Sequence, residues 1–237
     1  MKEILSGAGI ILLYVAVLAT AAFLIRRFTH IKDELFRKFL HLILIVALMF
    51  WPFVFEHWYA AAITALVFTA LFYPLLVLFG RIKAFSKFVS ERKKGEFKSS
   101  MLWVLLMYAV VVAVCWGWRG ERLLTIATVS AWGYGDAAAA LIGKRFGRHF
   151  IEGKHIEGRK SVEGSLAMFC TSFACVLTVL LIRGGMAWYD YLMTALVTAT
   201  VTAAVELYSL HGSDTVTCPF AAVAVILPLT WLFGGVF

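Results

Sequence analysis

Charge is scarce in this chain: of 237 residues only 15% are Asp, Glu, Lys or Arg, while 62% are apolar. That balance excludes a soluble domain and points to a polytopic helical membrane protein. Proline occurs only four times. The four cysteines, at 115, 170, 175 and 218, form no Cys-x-x-Cys pair and lie in or beside apolar segments. They read as buried structural residues, not as disulfide or zinc partners. Internal repeats, low-complexity tails and a separate soluble domain are also missing, which leaves a single integral membrane domain over residues 1–237. The Gly-x-x-x-x-Gly-Lys-Ser/Thr phosphate loop, the Gly-x-Ser-x-Gly elbow, the His-Glu-x-x-His helix and the dinucleotide fingerprint have no match. The common soluble solutions to nucleotide and hydrolytic chemistry are thereby excluded.

What is present is a series of long apolar runs. They predict an all-α transmembrane bundle of about eight spans, at 6–25, 39–55, 57–79, 100–118, 122–143, 164–182, 187–208 and 216–236. The 22 basic residues orient it, because positive loops stay in the cytoplasm: five fall in 26–38, seven in 81–98 and six in 144–164. Only Lys2, Arg119, Arg122 and Arg183 fall on the other side. Eight spans with both termini outside the cytoplasm satisfy the pattern, with 209–215 as a fourth cytoplasmic loop. Ala19 to Ala22 resembles a signal-peptide cleavage site, but cleavage would strand the cations of 26–38 outside, so the segment is kept as a span. The net charge of +8 then reads as orientation bias and affinity for anionic lipid headgroups, not nucleic-acid binding.

The stretch from Gly133 to Ser165 concentrates the chemistry. Asp136 lies inside an apolar segment, about 7 residues and therefore roughly 10 Å from its end. A carboxylate there costs about 2 to 3.5 kcal/mol, less near the interface, and is usually functional. Gly133 and Gly135 beside it are expected to loosen the helix and admit a ligand to the backbone. Lys144, Arg145, Arg148, Lys154, Arg159 and Lys160 follow in a loop that also holds Glu163. An acid at the membrane edge facing many cations suits a metal-bound polyphosphate.

Three other stretches contribute. In ELFRKFLH, the residues Glu34, Arg37, Lys38 and His41 share one helical face, where Glu34 and Lys38 could form a simple i,i+4 pair and His41 could be an interfacial histidine. In 81–98, Ile82, Phe85, Phe88 and Val89 recur at helical spacing between lysines, the pattern of an amphipathic segment on the membrane surface. Near the end, Glu206 is followed by SLHGSDTVTCPF, in which Asp214 is either the helix N-cap of the last span or part of a polar site. By the charge-derived topology Glu34, Arg37, Lys38, His41, Asp136, Lys144, Lys160, Glu163 and Asp214 share the cytoplasmic side. Phosphoryl transfer needs such a set: carboxylates for a divalent ion, cations for phosphate oxygens and a group to orient or deprotonate the attacking hydroxyl.

ELFRKFLH, GDAAAALIGKRFG, KSVEGS and SDTVTCPF, in that order between about 34 and 220, resemble the four signatures of the CTP-dependent lipid kinases, the family of dolichol kinase, phytol kinase and fungal-type diacylglycerol kinase. The resemblance implies a multi-pass enzyme that uses CTP and Mg2+ or another divalent cation to phosphorylate a lipid alcohol at the cytoplasmic face. Polyprenols, shorter isoprenoid alcohols such as phytol or geranylgeraniol, and diacylglycerol all fit as acceptors. Arg37 and Lys38 match the family's Arg-Lys pair, Asp136 and Gly143 its central motif, Lys160, Glu163 and Gly164 its nucleotide loop, and Asp214 its final motif. Asp136 and Asp214 would hold the metal or orient the nucleophile, and Arg37, Lys38, Lys144 and Lys160 would hold phosphate. The general base stays open among Asp136, Asp214, His41 and Glu163. Thr215 stands where these kinases usually have Asn. The central motifs also resemble phosphatidate cytidylyltransferases, but the His-Gly-Gly and Asp-Arg signature of those enzymes is missing. A small-solute transporter would place polar groups near the midplane, where these spans are nearly free of charge.

Overall fold

The computed structural model describes residues 1–29, 31–79, 95–151, 153, 156, 160–210 and 212–234. The chain is an all-α polytopic membrane protein with helices at each of the eight expected places. Where the sequence reads as a single membrane domain, the chain divides into two compact units, Met1–Ala113 and Val114–Phe237.

The first unit holds α1 (Lys2–Phe28), α2 (Asp33–Val54), α3 (Trp58–Phe79) and α4 (Glu96–Val111). Lipid has no hydrogen bonds to offer, so each helix end and each proline needs a partner within the protein. Glu3 supplies one: its carboxylate accepts the Glu56 and His57 amides at 2.8 and 3.1 Å, tying the start of α1 to the turn before α3. Pro52, inside α2, has no N–H to give to the Leu48 carbonyl four residues back. The Tyr108 hydroxyl of α4 donates to that carbonyl at 2.9 Å. The Tyr108 ring packs on Trp51, which also meets Phe55 and Phe68, so the proline and its replacement donor lie in one buried aromatic cluster. The anticipated loop 26–38 is mostly helix, because α1 runs to Phe28 and α2 begins at Asp33. Arg26 closes the short turn by pairing with Asp33 at 2.6 Å and lying over the Phe36 ring. The amphipathic pattern through Ile82, Phe85, Phe88 and Val89 lies outside the described residues.

A π-helical segment, Val112–Trp118, continues α4 and carries the boundary between the units. The second unit then comprises α5 (Arg122–Phe146), a two-residue antiparallel ribbon of β1 (Phe150–Ile151) and β2 (Lys160–Ser161), α6 (Val162–Arg183), α7 (Trp188–Tyr208) and α8 (Asp214–Gly234). The ribbon, in register Ile151 with Lys160, is the one departure from the expected all-helical architecture among the described residues. The helix α5 packs on α6, α7 and α8, and its buried residues run without a break from Leu124 to Gly133. Seven helical stretches among the described residues are long and apolar enough to cross a membrane, and α5 is not one of them. Its enclosure is the reason: polar side chains within a membrane protein face the interior of the bundle and not lipid, so TIATVSAWGYGDA can carry Thr, Ser, Gly and Asp.

At one end of this unit Arg183, closing α6, pairs with Glu121, which precedes α5, with 2.9 Å between Nη2 and Oε1. Gly184 and Gly185 then turn the chain with φ of 73° and 78°, left-handed values that favour glycine. The opposite end, where α5 and α7 finish and α6 and α8 begin, holds the second unit's share of the candidate residues.

Candidate functional site

The end of α5 crosses the start of α6 on glycine. A Cβ on Gly164 would lie 3.0 Å from the Ala139 carbonyl oxygen and 3.3 Å from the Gly143 Cα, so these backbones meet with no side chain between them. Gly147 makes the same crossing, where a Cβ would fall 2.8 Å from the Ser161 hydroxyl. Ser161 caps α6 by accepting the Gly164 amide at 3.1 Å. Gly143 of the central motif and Gly164 of the nucleotide loop thus have a packing duty that accounts for their identity. That duty fixes where β2 and the first turn of α6 point.

The same contact argument corrects the reading of the glycine beside Asp136. The helix runs unbroken through this region, and a Cβ on Gly135 would meet Met168 at 2.5 Å and Ser172 at 2.6 Å. Gly135 admits helix α6, not a ligand, and Ser172 donates to the Ala131 carbonyl at 2.7 Å in the same contact.

Glu163, in the first turn of α6, accepts from the His149 amide at 3.2 Å and faces the His149 Nδ1 at 2.8 Å. With the Val162 amide on the His149 carbonyl at 2.9 Å, this clasp closes the base of the ribbon. Lys160, on β2, is held from the other side: its ammonium donates to the Glu206 carboxylate at 2.9 Å and to the Glu206 backbone oxygen. Both side chains are largely buried, with 20% and 13% exposure.

Asp214 is the first residue of α8, half-buried. The N-cap position belongs to Ser213, whose carbonyl accepts the Val216 and Thr217 amides at 2.9 and 2.8 Å, so the capping reading of Asp214 is displaced by one residue. Asp214 instead places a carboxylate in the first turn, where the helix dipole favours it. One turn further, Cys218 is fully buried, and its thiol lies within electrostatic reach of Asp136, Glu206, Asp214 and Lys160. Three carboxylates and one ammonium, drawn from four elements, α5, β2, α7 and α8, thus act on this one thiol, and Lys160 and Glu206 are in direct contact. Lys144, two turns beyond Asp136, is exposed on the last stretch of α5. Lys154 and Arg159 lie outside the described residues.

Arg37, Lys38 and His41 belong to the first unit. There Arg37 pairs with Glu34 at 2.8 Å, and Lys38 is buried within α2.

Sequence reasoning passed over Glu206 as a member of the site. Its signal was an acid in the last turn of a helix, where the dipole disfavours negative charge by about 0.3 to 1 kcal/mol. Ser161 was legible as a helix start, since Ser precedes an acidic first turn.

Among the described residues, no group of three or more His, Cys, Asp or Glu is arranged to hold a metal ion unaided. Asp136 and Asp214 still offer the hard oxygen donors that Mg2+ prefers, and Mg2+ commonly takes only one or two carboxylates and completes its shell with phosphate and water.

Among known proteins, the chain is similar to the phytol kinase of Synechocystis sp. (strain ATCC 27184 / PCC 6803 / Kazusa), with 34% identity over 108 residues, which is 45% of this chain. The aligned stretch is 44% of that relative's own length, so the match spans less than half of it. No family model matches the chain. The likeness supports the relationship to the CTP-dependent lipid kinases that the four motifs imply.

Proposed function

We propose that this chain is a membrane lipid kinase that transfers the γ-phosphate of CTP to the hydroxyl of a lipid alcohol at the cytoplasmic face. The observation that carries the reading is the buried Lys160–Glu206 pair at the end of the second unit, with Asp136 and Asp214 from two further elements within electrostatic reach of the same Cys218 thiol. The phytol kinase relationship supplies the reaction class and favours an isoprenoid alcohol as acceptor over diacylglycerol.

In this proposal Asp136 and Asp214 hold a divalent ion, whose chemistry is to neutralise charge on the transferring phosphate. Lys160 contributes one ammonium proton to a phosphate oxygen. Two of its three donors go to Glu206, which leaves one for the nucleotide. Lys144, exposed at the edge, receives the outer phosphates. The lipid oxygen forms a bond to the γ-phosphorus, the bond to the β-phosphate oxygen breaks, and CDP leaves. The hydroxyl proton passes to a carboxylate of the second unit's candidate set, Asp136, Glu163 or Asp214.

The test is transfer from labelled CTP by the purified protein, with phytol, geranylgeraniol, a polyprenol and diacylglycerol as acceptors. Label from the γ position should enter an isoprenoid alcohol, while α label stays in CDP. Entry of the α label into lipid with release of pyrophosphate would replace the kinase by a cytidylyltransferase.

A further inference from the structure

Glu206 is separated from Lys160 by 46 positions in the chain, yet it engages that lysine twice, through its carboxylate at 2.9 Å and through its own backbone oxygen. The pair is not a surface accident, for both side chains are largely buried. Its placement is also locally unfavourable, at the negative end of α7. The arrangement has a consequence for Lys160. A free lysine is a flexible point charge with several rotamers to lose on binding. Held at two points, and with its backbone fixed by the ribbon and by the Ser161 cap, the ammonium is left one direction in which to donate.

We infer that Glu206 is a positioning residue for phosphoryl transfer: it orients Lys160 toward the nucleotide phosphate and does not itself bind substrate or metal. This rests on the kinase reading above. Anchoring of this kind removes the cost of ordering the lysine when the nucleotide arrives. It also explains why an acid is tolerated among other acids around Cys218: its charge is committed to Lys160.

A double-mutant cycle with CTP as the varied substrate separates the outcomes. Glu206→Ala and Lys160→Met should each lower kcat/KM for CTP by roughly 10- to 100-fold, the scale of one charge-assisted hydrogen bond. The double variant should be no worse than Lys160→Met, because Glu206 acts only through that lysine. Glu206→Gln, whose amide oxygen can still accept from Lys160, should recover part of the loss, chiefly in KM. Melting curves in detergent accompany each variant. Additive losses in the double variant would overturn the inference by giving Glu206 an independent role, such as a metal ligand. Losses that merely follow the melting temperature, with no recovery in Glu206→Gln, would overturn it as well by reducing the pair to a fold contact. A wild-type protein that moves no phosphate from CTP defeats the kinase reading and this inference together; a wild-type protein that does, with an additive cycle, defeats the inference alone.

Discussion

Asp136 and Asp214 are the carboxylates to which the proposal gives a chemical and not a structural role, and the two roles predict different variants. Replacing Asp136 by Asn keeps its size and lowers the cost of burial, so a purely structural role predicts a variant that melts at the same or a higher temperature and stays active. If the carboxylate would hold a divalent ion that neutralises phosphate charge, turnover should instead fall by at least about 100-fold with folding intact. The measurement is activity against Mg2+ concentration beside a melting curve in detergent. Lys144→Met serves as a phosphate-contact control, expected to raise KM for CTP without altering the Mg2+ dependence. Near-normal turnover of Asp136→Asn would remove the metal assignment.

Helices in this protein are joined by contacts that leave little tolerance. At the crossing of α5 on α6, a methyl group on Gly164 would press on the Ala139 carbonyl and the Gly143 backbone, neither of which can swing aside as a flexible side chain would. Gly164→Ala should therefore cost about 1 to 3 kcal/mol and, by moving the first turn of α6, displace Lys160 as well. The expected outcome is a lower melting temperature and a weaker affinity for CTP in the same variant. Between α2 and α4 the critical contact is a hydrogen bond. Tyr108→Phe removes the donor that Pro52 cannot supply to Leu48, at a cost of about 1 to 3 kcal/mol in a buried setting. In a Pro52→Ala background the backbone N–H can reach that carbonyl, so the loss from Tyr108→Phe should shrink. An unchanged loss there would show that the hydroxyl matters for some reason other than the proline.

For the whole molecule, the two ends of the second unit differ in kind. One carries Trp118, Trp188, Tyr189 and Trp231, all exposed, beside the Arg183–Glu121 pair. Such aromatic residues collect at membrane interfaces. The other carries the acids and lysines of the candidate site. The charge-derived topology puts that second end in the cytoplasm. With the four native cysteines replaced by alanine, a cysteine at Arg148 or Ser99 should react with an impermeant maleimide only from the cytoplasmic side, and one at Trp188 only from outside. Reaction of positions 99 and 148 from opposite sides would discard the eight-span arrangement.

The sequence by itself determined the helices and their order. An apolar run of some 20 residues in a membrane must satisfy its backbone within itself, and a helix is the way a single segment does so. It also brought out the polar residues Asp136, Lys160, Glu163 and Asp214, because a charge in an apolar chain is expensive enough to be conspicuous. What only the tertiary structure decided is which of these groups meet and what else each one does. Glu206 joins Lys160 because the lysine side chain reaches from β2 to the end of α7, and no local pattern encodes a contact across 46 residues. Gly135, Gly143 and Gly164 look alike in sequence to glycines that admit a ligand, yet each is filled against by a neighbouring helix or backbone. The polar make-up of α5 became intelligible only when α6, α7 and α8 were seen to enclose it. Hydrophobic partition is a property of each segment and is written along the chain, whereas close approach and charge pairing are properties of two segments at once, fixed by the geometry with which they pack.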